Sequence, residues 1–181
     1  MAQATMSYHE QIMAIAEDLA QIARQETELR FPSFDYDTAW RLGLSIRELA
    51  LSRKQSIVVD IRRFGQPHQQ LFYTAFAGTT PDNQRWVQRK TNVVARFHRP
   101  SYAIGLTLEQ ANRTFSDRYN LPEADYAAHG GCFPIHIAGT GIIGAITVSG
   151  LTQREDHNLV VEALCLELKK DHDALRLSNA L

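Results

Sequence analysis

Apolar and polar positions alternate with a period of two over residues 132–138: Phe133, Ile135 and Ile137 interleave with Cys132, Pro134 and His136. That period predicts a strand with one buried face. Pro134 has no N–H to give to a ladder, which predicts a sheet edge or a bulge at that point. Residues 142–149 are nearly all apolar or small and predict a second strand, ending at Gly150. Gly139-Thr140-Gly141 between them is turn chemistry, so the two strands read as a hairpin. The period then changes to that of a helix. Thr152 and Glu155 have the spacing of a capping box. Leu159, Ala163, Leu166 and Lys170 fall on one stripe, flanked by Val160, Leu164 and Glu167. Such a helix packs its apolar side on the hairpin.

The same reading extends back to the start of the chain. Ser7 and Glu10 form another capping box ahead of a helix with Ile12, Ile15, Leu19, Ile22 and Leu29 on a narrow seam. That seam suits packing on the chain's own domain or on a neighbouring subunit. Asp35 or Asp37 can cap a helix over residues 38–52, with Trp40, Leu44 and Leu51 on one side and Leu42, Ile46 and Leu49 broadening the apolar face. Residues 55–61 and 70–77 read as two strands joined by a loop holding Gly65 and Pro67. Thr80-Pro81 starts a helix, and Arg99-Pro100 stops it near His98. Residues 101–112 predict a further helix, irregular near Gly105. Residues 115–128 form a connection with room for one helical turn. The tail, residues 171–181, is polar and expected to fray.

The order helix, helix, strand, strand, helix, helix, strand, strand, helix predicts an α/β (α+β) fold: an α/β/α sandwich around an antiparallel sheet. It divides into an N-terminal helix (residues 1–30), one domain (residues 35–170) and the tail. A chain of 181 residues with 44% hydrophobic and 22% charged positions supports one sizeable core. A net charge of −1 gives no bulk attraction to nucleic acid or an anionic membrane. No apolar run reaches the ~18 residues of a membrane span. Cys132 and Cys165 make neither a disulfide framework nor a metal spacing, so a cytoplasmic setting with no metal site is expected.

Candidate chemistry gathers around His129-Gly130-Gly131 and the start of the last helix. Asp156 in a first turn complements the helix dipole; the other reading has Asp156 and His157 facing a pocket near His129. Within the basic segment of Arg85, Arg89, Lys90 and Arg96, Arg89 or Lys90 could hold a carboxylate, or the segment is a solvated charged face. His98, His136 and His9 are weaker candidates. Gly139-x-Gly141-x-x-Gly144 spells a dinucleotide fingerprint, but a strand follows where a helix is required. Ser149 lacks the paired glycines of a nucleophile elbow, and neither a zinc-binding His-Glu-x-x-His nor a phosphate loop is present.

Gly130-Gly131 with Phe133-Pro134-Ile135, then residues 143–150 ending Val148-Ser149-Gly150, then Asp156, resembles the haem-degrading domain family of GlcG-like and HbpS-like proteins. Trp86-Val87-Gln88-Arg89-Lys90, Ala128-His129-Gly130-Gly131 and Glu155-Asp156-His157 are similar to a bacterial and fungal branch of it. The resemblance implies a profilin-like fold with a five-stranded antiparallel sheet, a homo-oligomer and haem as a possible cofactor. The chain departs from shorter members in its long N-terminal helix, its Trp86–Lys90 segment and its histidine before the double glycine. The candidates are then His129, Asp156 and His157 for catalysis, and Trp86, Arg89, Lys90, Gly130 and Gly131 for ligand binding. Three functions follow: a small-ligand or haem-binding protein, a non-haem enzyme on a small anionic metabolite with His129 or His157 as base, or a non-catalytic oligomeric interaction protein.

Overall fold

The computed structural model describes residues 7–178. Among these described residues, seven helices and four strands run in the order α1 (Tyr8–Glu28), α2 (Tyr36–Ser52), β1 (Val58–Arg63), β2 (Gln69–Ala75), α3 (Pro81–Phe97), α4 (Ser101–Gln110), α5 (Phe115–Tyr119), β3 (Cys132–Ile137), β4 (Gly141–Ser149), α6 (Gln153–Leu168) and α7 (His172–Leu175). The strands form one antiparallel sheet in the order β2-β1-β4-β3. Helices α2 and α6 cover one face and α3 the other, which is the expected sandwich. The hairpin β3–β4 is present, so the Gly139–Gly144 spelling is a strand-turn-strand.

The sheet has four strands where the resemblance implied five. A fifth is replaced by a single parallel bridge: Phe31 N–H donates to His136 O at 2.8 Å, and Ala138 N–H donates to Phe31 O at 2.9 Å. Pro32 follows at once and has no N–H to extend the ladder. Pro134 sits on the edge strand β3, next to a register shift at Ile135/His136, so both expectations for it hold.

The two faces of the sheet differ in chemistry. Val59, Ile61, Phe133, Ile135, Ile146 and Val148 point into one apolar core with Leu42, Ile46 and Leu164. The alternate positions Asp60, Cys132 and Thr147 are fully buried beneath α3. There Arg62 Nε donates to Asp60 Oδ1 at 2.6 Å, and the Thr91 and Thr147 hydroxyls pair at 3.0 Å. A buried polar layer of this kind is tolerated because its members are mutually satisfied.

Helical register departs from the sequence pattern in two places. The buried side of α2 is Ala39, Leu42, Gly43, Ile46 and Ala50, while Trp40 and Leu51 are exposed. Gly43 explains this side: a Cβ there would overlap the Phe72 ring, so this face lies closest to the sheet. Leu166, placed by its spacing on the buried stripe of α6, is also exposed. Around α1, the seam residues Ile15 and Ile22 pack on Tyr102, Ala103, Leu106 and Leu177 of the same chain. The tail carries α7, capped by Asp171, and buries Leu175 and Leu177; a frayed tail is not seen through residue 178. Residues 179–181 lie outside the described part.

Candidate functional site

Helix α3 brings Trp86 and Lys90 onto one side because they are one turn apart. Its start is fixed by Thr80, which exchanges cap bonds with Asn83, and by Pro81 in the first turn. Lys90 is only 3% exposed, and its charge has a partner. Nζ donates to Asp156 Oδ2 at 2.8 Å and to Val148 O at 3.0 Å. Asp156 sits in the first turn of α6, whose N-terminus is closed by the Thr152–Glu155 capping box. Its other oxygen, Oδ1, accepts from Leu151 N–H at 3.0 Å. Burial pushes the Asp156 carboxyl up to about 6 against the pull of Lys90.

Gly131 makes room for this ion pair. Its φ is +113°, a region that side chains avoid. A Cβ there would lie 2.8 Å from Asp156 Cβ and 2.9 Å from Lys90 Nζ, and would overlap Val148 O. Gly130 has the same function toward α6: a Cβ would run into the Gln153 carbonyl. The double glycine therefore docks the β3 approach against both α3 and α6.

A cavity of about 250 Å³ opens over this pair. Trp86, His129, Lys90 and Asp156 line it, so four of the sequence candidates meet. The His129 ring stands edge-on to Trp86, centroids 5.0 Å apart at 70°. Its backbone oxygen accepts from Ser101 Oγ at 2.5 Å, but the ring atom Nδ1 is buried without a hydrogen-bond partner. Burial, Lys90 and Arg89 all lower the His129 pKa, so the ring is neutral near pH 7. Asn83, Ser149, Leu151 and Gln153 complete the wall. Of these, sequence reasoning passed over Asn83 and Gln153 as site residues. Each stands near a helix start, which is the signal that could have found them.

Two candidates do other work. Arg89 lies over the Trp86 ring at 4.6 Å and donates from Nε and Nη2 to Glu123 O at 2.9 and 2.6 Å. It is a strut holding the segment before His129, and it lines a neighbouring cavity. His157 is away from the site. It is fully buried between Tyr102 and Phe133, and its Nε2 pairs with Gln25 Oε1 at 2.8 Å. Burial and then Arg154 push its pKa down to about 3. Neither Asp156 nor His157 is hydrogen-bonded to the His129 ring, so the acid–histidine pairing expected around a base at His129 is not formed. His98 is the left-handed C-cap of α3, His136 lies on β3 and His9 is exposed on α1. Cys132 is buried and its thiol is pushed up to about 12, which removes it as a nucleophile.

The family described as "Haem degrading protein HbpS-like" matches residues 34–165. The chain belongs to the HbpS-like haem-degrading family. A UPF0303 protein of Paraburkholderia phymatum is 55% identical over 93% of this chain and 100% of its own length. The crystal structure of the Ybr137w protein is similar over 93% of this chain and 99% of that one, with a TM-score of 0.79 and 25% identity. The crystal structure of the PduOC:heme complex is similar to this chain with a TM-score of 0.62 over 74% of this chain and 94% of that one; at 13% identity the likeness is one of fold. Among the described residues no helix is long and apolar enough to cross a membrane.

Proposed function

We propose that the protein binds a compact, anionic small molecule in the Trp86–His129 cavity, with His129 as the side chain that meets it. The unpartnered, buried Nδ1 of His129 carries this reading. A buried polar atom without a partner costs about 1–3 kcal/mol, which a turn of the ring onto a ligand in the cavity would recover. The charge class is supported by the surroundings. Lys90 and Arg89 are the leading charges acting on the His129 ring, ahead of Glu123. The reading is of binding rather than turnover, since His129 lacks the orienting partner that general-base chemistry uses.

Haem is the second reading, favoured by the family and by the PduOC:heme relative. Haem needs an axial donor and an apolar slot. His129 would supply the donor and Trp86 a ring beside it. The rest of the wall does not fit: it is as polar as it is apolar, and about 250 Å³ is below the ~300–1,000 Å³ usual for small-molecule sites. A compact ligand is therefore placed first. Self-association is also proposed, through the exposed stripe Tyr36, Trp40 and Leu51 of α2.

Titrations with oxalate, inorganic phosphate and haemin, each repeated on His129→Ala, test the site. We expect saturable shifts of the Gly131 and Gln153 amides with a compact anion, lost in the variant. A saturable Soret shift with haemin that His129→Ala abolishes would put haem first. Binding that survives His129→Ala unchanged would rule out the role given to His129.

A further inference from the structure

A second cavity of about 280 Å³ lies on the other side of the Arg89 strut, between α4, α5 and residues 123–129. Its shape depends on a glycine. A Cβ on Gly105 would overlap the Ala128 carbonyl, so a helix with any other residue there could not take residues 127–129 so close. The bond from Ala127 N–H to Arg89 O at 3.2 Å ties the same segment to α3. The cavity is thus a fixed gap between three anchored pieces of chain.

Its floor is apolar and aromatic. Leu108 and Phe115 are buried, and the Tyr126 ring lies nearly parallel to Phe115, 5.7 Å between centroids at 15°. A further ring suits such a floor, because aromatic pairs favour centroid separations of 4.5–7 Å. Its rim is charged with both signs. Arg113, Glu109 and Glu123 are exposed and line the opening, and none has an ion-pair partner among the described residues, although Asp117 is close enough to feel Arg113. Arg89 is committed to the Glu123 carbonyl, which leaves Arg113 as the free fork for a carboxylate. Glu109 and Glu123 bring the complementary sign to the same lining.

We propose that this cavity binds a small zwitterionic aromatic molecule of the aromatic α-amino acid class, ring on the Leu108–Phe115–Tyr126 floor, carboxylate at Arg113 and ammonium at Glu109 and Glu123. The site lies beyond Arg89 from the Trp86–Lys90 cavity, with His129 on the wall of both, and it does not rest on the function proposed for the first. A single-charge ligand would leave one sign of the rim unmatched, which is where selectivity arises.

The test uses the full-length, 15N-labelled chain and L-phenylalanine as the probe, with 3-phenylpropionate and 2-phenylethylamine as single-charge comparisons. We expect saturable shifts at the Gly105, Arg113 and Ala127 amides, with those of Asn83 and Gln153 unmoved. Affinity should fall at least tenfold for either single-charge probe and for Arg113→Ala, an exposed change that leaves the core intact. No saturable shift, equal binding of a single-charge probe, unchanged affinity in Arg113→Ala, or shifts confined to Asn83 and Gln153 would each overturn the proposal.

Discussion

His157 and Asp156 are neighbours in the chain, yet their protonation acts on stability in opposite senses. The folded chain holds His157 near 3, far below its ordinary 6.5, because burial disfavours the cation. Between those values the unfolded chain binds a proton that the folded one refuses. The stability tied to His157 is complete above about 6.5 and is lost as pH falls toward 3. Asp156 is raised from 3.8 to about 6, so the folded chain takes its proton first and gains stability as pH falls from about 6 to about 4. The displacement of His157 is the larger, so acid should weaken the fold. Urea unfolding at pH 7 and pH 5 should show lower stability at pH 5, and His157→Gln should abolish or reverse that difference, because the Asp156 gain then stands alone. An equal loss in the variant would mean that other groups control the acid limb. The Lys90–Asp156 pair gives a second test at this scale. Removing one member leaves a buried charge alone, which costs roughly 3–5 kcal/mol. Lys90→Met should lose about that much in urea unfolding, and Lys90→Met with Asp156→Leu should recover most of it. A single variant within 1 kcal/mol of the parent would show that water reaches the pair.

Local chemistry makes several elements legible in the sequence. The capping boxes at Ser7 and Thr152, the helix start at Thr80-Pro81, the Gly139–Gly141 turn and Pro134 at a bulged edge all act through the nearest few residues, and each is where the sequence put it. Of the candidate site, His129, Trp86, Lys90 and Asp156 converge on one cavity. What failed depended on which way an element turns. Successive helical residues point about 100° apart, so Asp156 reaches the cavity while His157 is turned toward Gln25 on α1. Trp40 went outward because Gly43 lets the opposite side of α2 approach Phe72, a long-range contact that spacing cannot show. Since α6 carries Asp156, its cap bears on the site as well as on the helix. Thr152 Oγ1 is within cap distance of Glu155 N–H, and Thr152→Ala should cost about 1 kcal/mol. Thermal unfolding checks this, and a variant melting with the parent would show that the first turn is held by Asp156 instead.

At the scale of the whole chain, the question is where unburied apolar surface remains. The α1 seam suits packing on its own domain or on a neighbouring subunit, and Ile15 and Ile22 are spent on α4 and the Leu177 tail of the same chain. Removing α1 would uncover Tyr102, Ala103 and Leu106, so a truncated chain would report on folding rather than on assembly. The outward stripe of α2 is different. Tyr36 and Trp40 are each 57% exposed and Leu51 49%, one above another along a single helix. Aromatic residues grouped in this way mark interfaces more often than bare surface. A chain that self-associates through this stripe should scatter light as more than one copy at micromolar concentration. Trp40→Glu, which places a charge where a partner would sit, should lower that mass toward one chain without lowering the melting temperature by more than a few degrees. Met13→Glu, on the exposed side of α1, should leave the mass unchanged. If the parent already has the mass of one chain, or if Trp40→Glu leaves a larger mass intact, the α2 stripe is not the contact.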